Sequence, residues 1–203
     1  MKKNPQIFWT VILLLVAGLA WAGFHFAGGK GAITGNNFLS GSTTDSDKNL
    51  PLAEGQSVTD VSSTEKSFTH SILGFSFSYL KDYNISSFGN YYDSAGETIL
   101  LQKNAGEQGL QVLITPFDED TTLTIARVKK DLPSLNVTDA REQSIGTGDI
   151  EAQVVVFTST NNLSTGPSLE AWFIWRKQLY QISAPQTSKE LFDKVLSTWK
   201  FQE

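Results

Sequence analysis

The chain contains no cysteine. That excludes a disulfide framework, a thiolate metal site, a cysteine nucleophile and a lipidated N-terminal cysteine. Histidine is almost as scarce: His25 and His70 are the only 2 in 203 residues, so an imidazole general base has almost nothing to draw on. The charge balance, Lys+Arg 16 against Asp+Glu 21, forms no basic stripe and leaves no electrostatic footprint for nucleic acid. No phosphate-binding glycine loop, zinc spacing or pair of catalytic carboxylates appears, so neither a cofactor nor a metal is implied and the chain reads as no enzyme. What is present is 40% hydrophobic and 11% aromatic content, which is incompatible with a wholly disordered chain.

The N-terminus carries a second message. Lys2 and Lys3 precede an uncharged apolar run from Ile7 to Ala27. As a helix that run spans roughly 30 Å, about one hydrocarbon core. The lysines keep residues 1–6 cytoplasmic and send everything after residue 27 outside. Ala20-Trp21-Ala22 has the form of a signal-peptidase site, and cleavage after Ala22 would secrete the domain instead. Trp9 at one end of the run and Trp21, Phe24 and Phe26 at the other resemble paired aromatic belts, which favours a retained transmembrane signal anchor over residues 7–27. His25 lies among those aromatics, a comfortable place for an amphipathic ring. Residues 28–66 are rich in Gly, Ser, Thr, Asp and Asn and read as a flexible spacer, with a root-mean-square reach of about 35 Å.

From residue 67 to 203 the pattern is that of a folded extracytoplasmic domain. Phe75-Ser76-Phe77-Ser78-Tyr79 alternates strictly, as a half-buried strand does. It follows Phe68 to Leu73 across a Leu73-Gly74 corner. Thr98 to Gln102 and Leu110 to Phe117 flank a turn-rich segment and predict a second hairpin. Ile150 to Ser159, Leu169 to Arg176 and Leu179 to Ala184 are further strands, the last two joined at Lys177-Gln178. Gly146 to Asp149 (GTGD) reads as a hairpin turn between strands at Glu142 to Ser144 and Ile150 to Val156. Asp118, Glu119 and Asp120 precede bases at Lys129 and Lys130, an order that complements a helix dipole from Thr122 to Leu132. Those acids lack the ligand count of a calcium loop. A closing helix is announced by a capping box at Thr187 and Glu190 and by an apolar stripe of Leu191, Phe192, Val195, Leu196 and Trp199. Trp172 and Ile174 point one way along their strand while Phe173 and Trp175 point the other. Strands apolar on both faces need cover on both. The fold class is therefore α+β: an antiparallel sheet of about six or seven strands flanked by helices on both faces, an α/β/α sandwich preceded by one transmembrane helix.

"SILGFSFSYLKDYNI" near the start of this region and "LYQISAPQTSKELFDKVLSTWKF" at its end resemble PsbP-like domains of the Mog1/PsbP fold. Such domains open on a G-F-S-F-x-Y hairpin and close on a Y-x-I strand followed by an F-x-x-x-L-x-S-W-x-F helix. Leu80 stands where a proline is common. The resemblance covers roughly Ser67 to Gln202 and implies architecture. Its members include photosystem II extrinsic subunits, a Ran-binding nuclear protein and many exported bacterial proteins without an assigned role, and no functional residue carries over.

Site candidates are few. His70 and Ser71 are strand neighbours that point to opposite faces, so they form no nucleophile–base pair, and His70 reads as a strand-edge residue. Asn84, Asn136 and Asn162 begin formal glycosylation sequons, triplets too common to carry weight. Tyr91 and Tyr92, in a loop without periodicity, are aromatics expected to be exposed, and Asn161 and Asn162 sit in a second loop, Asn161 to Ser168. These four are the binding candidates, because loops on a rigid scaffold carry recognition. The combined expectation is a membrane-anchored, non-enzymatic domain that binds or stabilises another envelope protein. The alternatives are a small-ligand or ion-binding domain and a secreted form of the same domain.

Overall fold

The computed structural model describes residues 52–202, except 92, 105–106, 120, 147–149 and 161–165. The apolar run 7–27, and with it the anchor expectation, lies outside the described residues. Among those described, no helix is long and apolar enough to cross a membrane.

Among the described residues, eleven strands form two antiparallel sheets in place of the single sheet expected. The smaller holds β1 (Gln56–Asp60), β2 (Glu65–His70), β3 (Phe75–Leu80) and β11 (Lys200–Phe201), in the order β1-β2-β3-β11. The larger holds β4 (Asn84–Gly89), β5 (Glu97–Gln102), β6 (Leu110–Pro116), β7 (Asn136–Ile145), β8 (Ala152–Thr160), β9 (Ser168–Trp175) and β10 (Gln178–Pro185). Its order is β4-β5-β6-β10-β9-β8-β7, so the chain leaves after β6, builds the far side and returns β10 to the middle. Among the described residues two α-helices accompany them, α1 (Ile125–Asp131) and α2 (Lys189–Thr198).

β1 lies within the segment expected to be spacer. Its sequence, QSVTD, has one large apolar residue, so composition gives no sign of a strand; five successive pairs with β2 hold it in place. β4 was likewise silent, and β7 runs well beyond the Glu142–Ser144 stretch that the pattern suggested.

The two-residue period of the strands sorts their side chains into two cores. Between the sheets, Phe68, Phe75 and Phe77 of the small sheet meet Ile99, Val112, Ile114, Phe173 and Tyr180 of the large one, with Leu191, Phe192 and Val195 of α2. Trp199, fully buried, anchors this core: it stacks on Phe75 at 4.7 Å between ring centroids and meets Phe173 edge-on at 5.5 Å. On the opposite face of the large sheet, Val155, Phe157, Trp172 and Leu179 pack with Val128 of α1 and with Phe117, Leu123 and Leu132 beside it. Trp172 and Phe173 thus part company as the alternation predicts.

The helix starts differ from the sequence expectation. α1 is shorter than Thr122–Leu132, because Thr124 is extended (ψ 158) and its hydroxyl accepts the Arg127 N–H at 3.2 Å. Instead of capping the helix, Glu119 pairs with Arg127, which also grips Asp131. At α2 the Thr187–Glu190 capping box does not form. Gln186–Ser188 is a 3-10 turn, so Thr187 sits inside a helical turn rather than at the extended position that a cap requires, and Ser188 takes that place without a side-chain cap bond. The β9–β10 turn falls one residue earlier than expected, at Arg176 and Lys177, both with positive φ (47° and 59°).

Candidate functional site

Most charged side chains lie at the surface, but two carboxylates are buried on opposite faces of the large sheet: Glu97 at 2% exposure and Glu170 at 6%. A buried carboxylate is costly unless its lone pairs are filled. The two solve that problem differently.

Glu97 opens β5 on the face that looks toward the small sheet. Its Oε1 accepts from Ser87 Oγ of β4 at 3.0 Å and from Gln56 Nε2 of β1. Its Oε2 lies 3.2 Å from His70 Nε2 of β2. His70 Nδ1 accepts the Leu73 backbone N–H at 3.3 Å, which leaves Nε2 to carry the proton and donate to Glu97. One carboxylate therefore ties together four strands from both sheets. His70 is fully buried, in contrast to the strand-edge position expected of it. β2 lies between β1 and β3, and the ring packs edge-on to Tyr91 at 5.8 Å. Ser71 turns away, its hydroxyl donating to the Gly55 carbonyl at 3.0 Å, so the two form no catalytic pair. With both imidazole nitrogens engaged, His70 has no lone pair left to act as a base.

Glu170, on β9, faces the other core. Ser159 Oγ (3.0 Å) and Ser168 Oγ (2.5 Å) lie against its Oε1, and Trp172 Nε1 (3.0 Å) and Ser183 Oγ against its Oε2. Ser159 and Ser168 are also 2.8 Å apart. Three oxygen–oxygen contacts thus close a triangle, yet two hydroxyls supply only two protons. A proton on Glu170 would complete it. Burial pushes the Glu170 carboxyl above the usual carboxylate range, and the bonds from Ser168, Ser183, Trp172 and Ser159 only partly offset that rise. Its four hydrogen bonds make it a cross-brace between β8, β9 and β10. On the same face of β10, the amide of Gln181 is buried with no partner, as is the Thr115 hydroxyl of β6.

The sequence-chosen residues relate to these clusters as follows. Tyr91 is buried against His70 rather than exposed, because the chain leaving β4 folds back over the Glu97 cluster. Tyr92, Asn161 and Asn162 lie outside the described residues. Ser168, which ends the second loop, enters the Glu170 cluster. Neither glutamate was singled out from sequence. The signal for Glu170 was a lone acid in the otherwise uncharged run Leu169 to Trp175; Glu97 gives no comparable sign.

No family model matches the chain, and no curated protein matches it. A solved structure resembles it. The solution structure of cyanobacterial PsbP (CyanoP) from Synechocystis sp. PCC 6803 is similar with a TM-score of 0.45 and 14% identity, over 71% of this chain and 97% of that one.

Proposed function

We propose that this chain is a non-enzymatic domain, held outside the membrane by residues 7–27, that binds or stabilises another envelope protein. The observation that carries the non-enzymatic part is the inward, saturated state of the chemical groups: His70 and Glu97 spend their hydrogen-bonding capacity on each other and on the fold, as does Glu170. Tethering would confine the domain near its partner, so a weak contact suffices through effective concentration. In-cell crosslinking with identification of the captured protein tests the reading; a domain that never acquires a crosslinked envelope protein argues against it. The mass of the mature N-terminus tests the anchor, because a chain that begins at Gly23 is secreted instead.

A second reading, a domain that binds a small ligand or ion, is favoured by one observation: Gln181 and Thr115 are buried on the sheet face that holds Glu170, with polar atoms unpaired, and such groups call for a partner. A thermal-shift screen separates the two readings, because a ligand at 100 times its Kd adds about 2.7 kcal/mol to the native state.

A further inference from the structure

An exposed sheet edge is a template for another strand, and proteins guard it with charges, prolines or bulges. The terminal strands of this molecule are guarded unequally. β7, at one end of the large sheet, carries Asp139, Arg141 and Glu142, and its register breaks between Thr138 and Arg141, where Asp139 has φ 52°. In the small sheet, β11 is two residues long and β1 ends on Asp60, which pairs with Lys81. β4, at the other end of the large sheet, has none of these protections. Asn84–Gly89 (NISSFG) contains no charge and no proline, and it pairs with β5 through six consecutive residues without a shift. Among the described residues β5 is its only strand partner, and Phe88 on it is 48% exposed.

We propose that the β4 edge is a self-association surface on which a second copy of this chain adds its own β4 antiparallel, joining two seven-stranded sheets. The choice of a second copy follows from charge. A two-fold axis sets the strand against itself, so any charge near the axis meets its like and opposes pairing. β4 has none to oppose it, and equally none by which a foreign strand would be chosen. Phe88 then loses exposed apolar area against the copy's strand. This surface is separate from the partner binding proposed above, and either stands if the other fails.

The absence of cysteine makes a clean test possible. Single cysteines are placed in the full chain at Asn84, Ser86 and Phe88 (N84C, S86C, F88C), with R141C on β7 as the reference. Disulfide-linked dimer is then read after mild oxidation. A disulfide needs Cα atoms within about 7 Å, whereas a residue two positions from the axis is roughly 13 Å from its copy at ~3.3 Å rise per residue. The expected result is therefore a peak: one β4 position crosslinks strongly, the others weakly, and R141C not at all. Adding F88K to the N84C or S86C chain, whichever crosslinks better, should remove its dimer. A flat profile, dimer from R141C equal to that from β4, no dimer from any β4 position, or a peak indifferent to F88K each overturns the proposal. All three β4 variants alter a strand edge, and a variant that does not fold leaves the other two to define the peak.

Discussion

Replacing Glu170 with glutamine should stabilise the protein at neutral pH, and the physics of the site sets the size. An ion removed from water costs several kcal/mol even after relaxation, and no cation is among the partners of Glu170. Against that, four hydrogen bonds to a charged acceptor lose about 1 kcal/mol each when the acceptor becomes neutral. Burial outweighs the bonds, as the upward displacement of the carboxyl shows, so the net gain from E170Q is about 1–2 kcal/mol. Glutamine fits: its oxygen accepts from Trp172 and Ser183, while its NH2 supplies Ser159 and Ser168, which turn to accept. The sign with pH follows from linkage. A carboxyl raised in the folded state contributes stability fully below its unfolded value near 4.3, and loses it as pH rises through the folded value. Wild type and E170Q should therefore coincide in acid and diverge upward through that window, with E170Q the more stable. Urea unfolding followed by tryptophan fluorescence across pH measures the difference. A destabilised E170Q at pH 7, or a difference independent of pH, would refute the reasoning and make the ionised carboxylate a net stabiliser.

The opposite sign is expected at the other carboxylate: in E97Q the new NH2 is crowded by donors from His70, Gln56 and Ser87, and a buried donor left unpaired costs about 1–3 kcal/mol, read in the same assay. Lys177→Gly should stabilise, since left-handed backbone costs a side-chain residue about 1–2 kcal/mol and Lys177 sits at φ 59°; an unchanged urea midpoint would contradict that. Gly109→Ala should destabilise strongly, because its Cβ would stand 1.8 Å from the Leu101 carbonyl oxygen, and lost hydrogen-exchange protection along β5 and β6 would report it. Trp199→Ala should cost about 3–5 kcal/mol by hollowing the core in which Trp199 stacks on Phe75.

The legible parts of this molecule were those where local chemistry and tertiary environment agree. The alternation of Phe75 to Tyr79, the two-sided apolar strand around Trp172 and Phe173, and the stripe of α2 all turned toward a core the residues that their periods marked. Side-chain periodicity survives any packing arrangement, so it can be read without one. The misreadings were at positions ruled by a partner distant in the chain or by an unforeseen local turn. Tyr91 looked like a loop aromatic until the loop closed over His70. Thr187 had a capping spacing but fell inside a 3-10 turn.

By itself the sequence determined the antiparallel α+β habit, the absence of thiol chemistry and the burial of the strands around Trp172 and Phe173. These follow from composition and from periods of two and 3.6 residues, which need only neighbours along the chain. Tertiary structure alone decided that there are two sheets, that β1 and β4 are strands at all, and that Glu97 and Glu170 are brackets rather than surface acids. Gln56, His70, Ser87 and Glu97 meet only because sheet pairing brings together residues up to 41 positions apart. A carboxylate's role is set by which donors reach it, and that is a property of the fold.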